Sequence, residues 1–243
     1  MLEQKVEANV FALVGGEPKT GKTHLALTFR EPIKLFSFDL GYKQVVAKFP
    51  GKKIDVVEYP MIVVDTLELK DAGFQKLWKT VRDDLYKTYE EGKYKTIVID
   101  TATALWEIVR YAFNEEQDKA VGAGGKARNY GEPNSRFYGL IMRAQVAGIN
   151  LVLTEYLKDE WLNDAPTGNK ILEGWRRAAG LADIVLVTER IQRVATPEER
   201  KAMGNTKTNA IKTTVKDCRF DLDMCGFNQE NMCYDDLVAL LGL

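Results

Sequence analysis

A chain of 243 residues with 45% hydrophobic content is long enough for one α/β domain with a substantial core, or at most two small ones, and one spanning 1–243 is expected. Its 34 basic and 35 acidic residues nearly balance, which argues against a chain coated in positive charge like a histone or a polybasic membrane binder and leaves any nucleic-acid surface local. No stretch approaches the roughly 20 apolar residues that cross a bilayer, and the N-terminus MLEQKVEANV carries charges where a signal peptide needs an apolar core, so a soluble cytoplasmic protein with no membrane partner is expected.

Apolar strands alternate with helical stretches, the pattern of a mainly parallel sheet covered by helices on both faces. The first strand, Phe11 to Val14, runs into a glycine loop and a short helix from Lys22 to about Phe29, where Leu25, Ala26 and Phe29 share a face. Ile33 to Phe38 is a second strand ending at Asp39, and Val56 to Tyr59 a brief third. From Leu67 to Glu91, Phe74, Leu77, Trp78, Val81, Leu85 and Tyr89 recur at three and four positions and form one core-facing helical stripe that stops at Gly92. Tyr94 to Asp100 (YKTIVID) is a continuous apolar run of the kind buried on both faces of a sheet. A helix over Ala102 to about Glu116 follows.

Lys119 to Pro133 is glycine-rich without apolar periodicity and is expected to be a surface loop. A helix from about Asn134 to Ala147 leads into the strand Leu151 to Thr154. A polar connection, Lys158 to Gly180, precedes the strand Asp183 to Thr188, and Thr196 to Asn209 is expected to be a hairpin excursion before Thr213 to Val215 and Phe220. Tyr234 to Leu243 has the pattern of a short amphipathic helix. Cys218, Cys225 and Cys233 lack C-x-x-C spacing and His24 is the single histidine, so free thiols are expected rather than a disulfide frame or a zinc site.

The chemistry concentrates in GGEPKTGKTH, residues 15–24, which fits G-x-x-x-x-G-K-[ST] between a strand and a helix. Glycines let successive N–H groups converge on one point, and the helix that follows adds its positive end, so Gly16, Glu17, Pro18, Lys19, Thr20, Gly21, Lys22, Thr23 and His24 are expected to hold a nucleotide triphosphate. Lys22 would reach the β and γ phosphates, and Thr23 would offer its hydroxyl to Mg²⁺. Asp100, ending a strand downstream of that loop, is the matching carboxylate for a metal-bound water. The next residue is Thr101, where ring ATPases of the AAA-plus kind carry a water-polarising Glu.

With GEPKTGKT, YKTIVIDTATAL, INLVLTEY, LADIVLVTERI and TTVKDCRF in this order, Phe11 to about Phe220 resembles the RecA-like core ATPases, most closely the small phage-type versions that act as minimal recombinases or single-strand annealing proteins. The resemblance implies a RecA-like P-loop fold, a mainly parallel central sheet flanked by helices with a C-terminal antiparallel hairpin, and it implies ATP and Mg²⁺ as cofactors. It further implies a homo-oligomer, ring or filament, with ATP between subunits. In such relatives the water-activating glutamate stands two residues after an Asp that here aligns with Asp39, and Gly41 occupies that place. Asp39 is the favoured substitute base, with Thr154 and Glu155 as γ-phosphate sensor; the alternative is that Asp39 caps a turn and hydrolysis is slow. Lys216 and Arg219 resemble late basic residues that reach the neighbouring subunit's nucleotide, the alternative being a solvated strand edge.

The same resemblance makes Lys119 to Arg136 and Lys158 to Gly180 the two DNA-facing loops. The first carries Lys119, Lys126, Arg128 and Arg136 with Tyr130 among glycines; the second carries Trp161, Lys170, Trp175, Arg176 and Arg177. Aromatics beside cations suit sequence-tolerant binding of single-stranded DNA, although Trp175 could equally belong to the core. The resulting expectation is an ATP-dependent, single-stranded-DNA-binding recombination or annealing ATPase. Its rivals are a non-hydrolysing nucleotide switch or loader and a small-molecule kinase.

Overall fold

The computed structural model describes residues 9–63, 71–121 and 130–242. Its central sheet holds β1 (Phe11–Gly16), β2 (Ile33–Ser37), β3 (Ile54–Glu58), β4 (Thr96–Asp100) and the first half of β5 (Asn150–Leu162), together with β7 (Ile184–Val194). These run parallel in the order β3-β2-β4-β5-β1-β7. At the β7 edge, β8 (Lys207–Cys218) and β9 (Asn228–Glu230) add antiparallel strands, and β6 (Ala165–Glu173) pairs with the far half of β5. The expected α/β class, its parallel sheet and the antiparallel strands at the C-terminal side are all present.

Strand composition explains the arrangement. β1 and β4 are buried at every position, so both of their faces need helices, and each face has its own core. On one side Leu13, Phe36, Ile97, Ile99, Leu151 and Leu153 pack against α3 (Phe74–Glu91), α4 (Ala102–Val121) and α5 (Gly131–Val146). On the other side Ala12, Val14, Leu35, Val98 and Val152 pack against α1 (Lys22–Leu27), α2 (Lys43–Val46) and α8 (Tyr234–Leu241). The α3 stripe buries Phe74, Trp78, Val81, Leu85 and Tyr89 as its period requires, and the helix stops where Gly92 turns left-handed at φ 58°. No helix among the described residues is long and apolar enough to cross a membrane.

Two expected loops differ from the structure, and the expected hairpin excursion is present. The Lys119 to Pro133 segment is helical at both described ends, because α4 continues to Val121 and α5 starts at Gly131 with Pro133 in its first turn, where a proline costs no hydrogen bond. The Lys158 to Gly180 connection is mostly the β5–β6 hairpin, closed by Asn163 and Asp164 at φ 51° and 61°, followed by the short α6 (Ala178–Leu181). Two successive residues at positive φ make the turn whose twist matches the paired strands. The Thr196 to Asn209 excursion is the tip of a long β7–β8 ribbon and contains α7 (Pro197–Met203), started by a capping box between Thr196 and Glu199. The β5–β6 ribbon escapes detection because beyond the sheet it has no buried face to impose alternation.

Candidate functional site

The loop from Gly16 to Gly21 closes over the C-terminal end of β1. At Gly16 a Cβ would lie 2.4 Å from the hydroxyl oxygens of both Thr20 and Thr188, so only glycine fits between them. Gly21, at φ 86°, supplies the left-handed turn into α1 and lies against Ile211. Thr20 donates to the Glu17 carbonyl at 2.7 Å and meets Thr188 at 2.9 Å, which ties the loop to β7.

Lys22 is buried, and its ammonium donates to the carbonyls of Gly16 and Glu17 at 2.9 Å each. Burial holds its pKa below the usual lysine range, while Asp100, Asp39 and Glu17 pull it back up. Thr23 donates to Asp100 Oδ2 at 2.9 Å, and Thr154 donates to Asp100 Oδ1. Burial pushes the Asp100 carboxyl up; the Thr154 hydroxyl opposes this most, and Asp39 adds to the rise. An alcohol and a carboxylate side by side at the mouth of a phosphate loop form an oxygen donor set that suits a hard divalent cation such as Mg²⁺. Pro18 to His24, Asp39, Asp100, Tyr156 and Arg190 line one cavity of about 700 Å³ there.

Asp39 is exposed at this cavity. Its Oδ2 accepts from the Tyr156 hydroxyl at 2.9 Å, and its Oδ1 accepts from the Gly41 amide at 3.0 Å, so it both faces the pocket and caps a turn. His24 lines the same cavity edge-on to Phe49, 4.9 Å between ring centroids, and burial lowers its pKa. Glu17 turns outward to Lys170 at 3.2 Å.

Several expected site residues are placed elsewhere. Successive residues of a strand face opposite sides, so Thr154 and Tyr156 face the phosphate loop while Glu155, between them, is buried on the other face beneath Gly174. Glu155 therefore does not line the nucleotide cavity. Arg219 pairs with Asp183 at 3.1 Å and donates to the Leu181 carbonyl; Asp183 in turn accepts the Phe11 amide, which puts Arg219 at the end of β1 remote from the loop. Lys216 is exposed on β8. Arg136 is on α5, clamped by Glu116 at 2.6 Å and Glu132 at 3.1 Å, so its charge is already answered. Lys170 is held by Glu17 and by Asp159, the latter at 2.8 Å. Trp175 is core, 2% exposed, with its indole N–H on Asn134. Arg176, Arg177 and Tyr130 are exposed. Lys126, Arg128 and the Lys119 side chain lie outside the described residues.

Tyr156 is the pocket residue that spacing did not single out. Its ring lies under the Lys22 ammonium, 4.6 Å to the centroid, while its hydroxyl reaches Asp39, so it bridges these two charged groups. The signal was present as an aromatic two residues beyond Thr154 on the same face of β5. Arg190 was missed too; it comes from the β7 extension and reaches the Lys19 carbonyl at 3.5 Å.

A strand, a glycine loop and a helix that starts on Lys22-Thr23, with Asp100 delivered from the second strand over, define a P-loop ATPase of RecA-like fold. The chain belongs to the AAA domain family, which matches residues 8–216. Among solved structures it is similar to a KaiC-like protein from the hyperthermophilic archaeon Pyrococcus horikoshii, at 12% identity over 91% of this chain and 84% of that one, with a TM-score of 0.51. At that identity the likeness concerns the fold. No curated protein matches the chain.

Proposed function

We propose that the protein hydrolyses ATP with Mg²⁺ and couples the nucleotide to single-stranded DNA as a homo-oligomeric annealing or recombination ATPase. The observation that carries the coupling is the course of β5. One strand brings Thr154 and Tyr156 to the nucleotide cavity and then runs on into the hairpin whose tip exposes Trp161, 62% accessible, with Arg176 and Arg177 exposed just beyond its return strand. A ring free to stack and cations free to meet phosphates are what sequence-tolerant single-strand binding uses. In the pocket, the Gly16–Gly21 amides and Lys22 would hold the phosphates, and Thr23 and Asp100 would hold Mg²⁺. When bound, the cation would neutralise charge on the transferring phosphoryl group. Asp39 would orient and deprotonate the attacking water, with Tyr156 fixing its carboxylate.

A second reading has its own observation. Both Asp39 oxygens are already engaged, one by Gly41 and one by Tyr156, which favours a nucleotide switch that turns over slowly. Steady-state ATP hydrolysis, with and without single-stranded DNA across a salt series, separates them. Stimulation by DNA that fades as salt rises supports the first; the same slow rate under all conditions supports the switch. Asp39→Asn is expected to lower turnover by about 10²–10⁴ with nucleotide affinity retained, and unchanged turnover removes Asp39 from the mechanism.

A further inference from the structure

Asp100 has strand neighbours on both sides. In register, Ser37 of β2 and Thr154 of β5 are its Cα partners. Leu35, Val98 and Val152, two residues earlier on the same three strands, all pack with Leu25 and Ala26 of α1. Strand alternation therefore sets Ser37, Asp100 and Thr154 in one row facing α1 and the phosphate loop. Thr154 and Thr23 each donate to one oxygen of the carboxylate. Ser37 is 0% exposed, and its Oγ has no hydrogen-bond partner among the described residues. Buried hydroxyls nearly always have a partner, and β2 is otherwise apolar at its buried positions, so an alanine here would have avoided the orphan.

We propose that Ser37 is a positioning residue for the divalent cation, its hydroxyl belonging to the outer shell of the Mg²⁺ that Thr23 and Asp100 hold, on the β2 side of the carboxylate. This rests on the nucleotide–Mg²⁺ reading of the pocket. Groups in such a shell orient the direct ligands and the ion's water, and losing one typically weakens metal binding about 10–100-fold. Ser37 lies beneath the cavity wall rather than in it, so it acts through Asp100, its neighbour in register, and not on the nucleotide.

The test is binding of a fluorescent ATP analogue titrated with Mg²⁺, in the full chain and its variants. Ser37→Ala is expected to raise the Mg²⁺ concentration at half-effect by about tenfold, while affinity in EDTA and the melting temperature stay at the wild-type values. Ser37→Cys, close in volume and a weak donor, should follow alanine, and Ser37→Thr, which keeps the hydroxyl, should restore the wild-type midpoint. Should the alanine variant fail to fold, the cysteine variant decides. A wild-type Mg²⁺ midpoint in the alanine or cysteine variant overturns the proposal and leaves Ser37 a core residue. If wild-type affinity for the analogue does not depend on Mg²⁺ at all, the reading beneath the proposal fails, and the proposal fails with it.

Discussion

Replacing Lys22 by alanine is expected to weaken MgATP binding by about a hundredfold or more and to leave the melting temperature nearly unchanged. A hydrogen bond to a charged group is worth about 1.5–3 kcal/mol, and an ammonium placed between two phosphates makes more than one, so the combined loss exceeds two decades of affinity. The fold should not suffer in proportion. Lys22 is 6% exposed, and burial already disfavours its charged form, so the truncation removes a group that is costly to bury. What the variant gives up in the unliganded chain is the pair of 2.9 Å bonds to the Gly16 and Glu17 carbonyls, at the edge of the cavity that Lys22 lines. Titration with a fluorescent ATP analogue and a thermal melt check both halves. Wild-type affinity in the alanine variant would remove the phosphate-loop assignment and everything built on it.

The phosphate loop was legible because its chemistry is written in contiguous residues. Gly16, Gly21, Lys22 and Thr23 act within one turn of chain, and no tertiary contact is needed to bring them together. Asp100 was legible because a short β-branched run such as IVID reads as a buried strand, whose last residue emerges at an end of the sheet. Parity on β5 was not. Residues 150–155 are buried on both faces, so the sequence holds no alternation to say whether Thr154 with Tyr156, or Glu155, faces the phosphate loop. The structure settles it through Val152, which packs on the α1 side and carries Thr154 and Tyr156 with it.

The DNA-facing assignments show a different limit. Glu132 and Arg136 are four apart, a spacing that pairs charges on a helix, but the pairing becomes visible only once α5 is seen to begin at Gly131. The rest of the Arg136 clamp, Glu116, lies on another helix, as does Asn134, the partner that holds Trp175 in the core. Composition registers cations and aromatics, and it cannot register whether a distant residue has already claimed them. After those claims, Trp161, Arg176 and Arg177 are among the groups expected to face DNA on the β5 side that stay exposed.

The misplaced strand face leads to the second large effect. Glu155 is 1% exposed, its Oε1 has no hydrogen-bond partner among the described residues, and a Cβ on Gly174 would lie 2.2 Å from that oxygen. Burial, reinforced by Glu173 and opposed by Lys158, pushes its pKa up to about 8. The folded chain therefore keeps a proton on Glu155 that the unfolded chain releases near the ordinary value of 4.5. Between those two values the native state binds more protons than the unfolded state, so this group's contribution is full below about pH 4.5, declines as pH rises, and levels off above about 8. The slope is about 1.4 kcal/mol per pH unit, on the order of 5 kcal/mol across the window. Glu155→Gln keeps the shape and removes the titration. In urea unfolding at a series of pH values, the wild type should lose stability relative to the variant from pH 5 to 8, and the two should run parallel above that. Asp100, also raised by burial, titrates in both chains and cancels in the difference. Because the side chain lies on the far face of β5, nucleotide affinity at neutral pH should be unchanged in the variant. Parallel curves from pH 5 to 9 would show that Glu155 is ionised in the folded protein, and a large loss of nucleotide affinity would return it to the pocket.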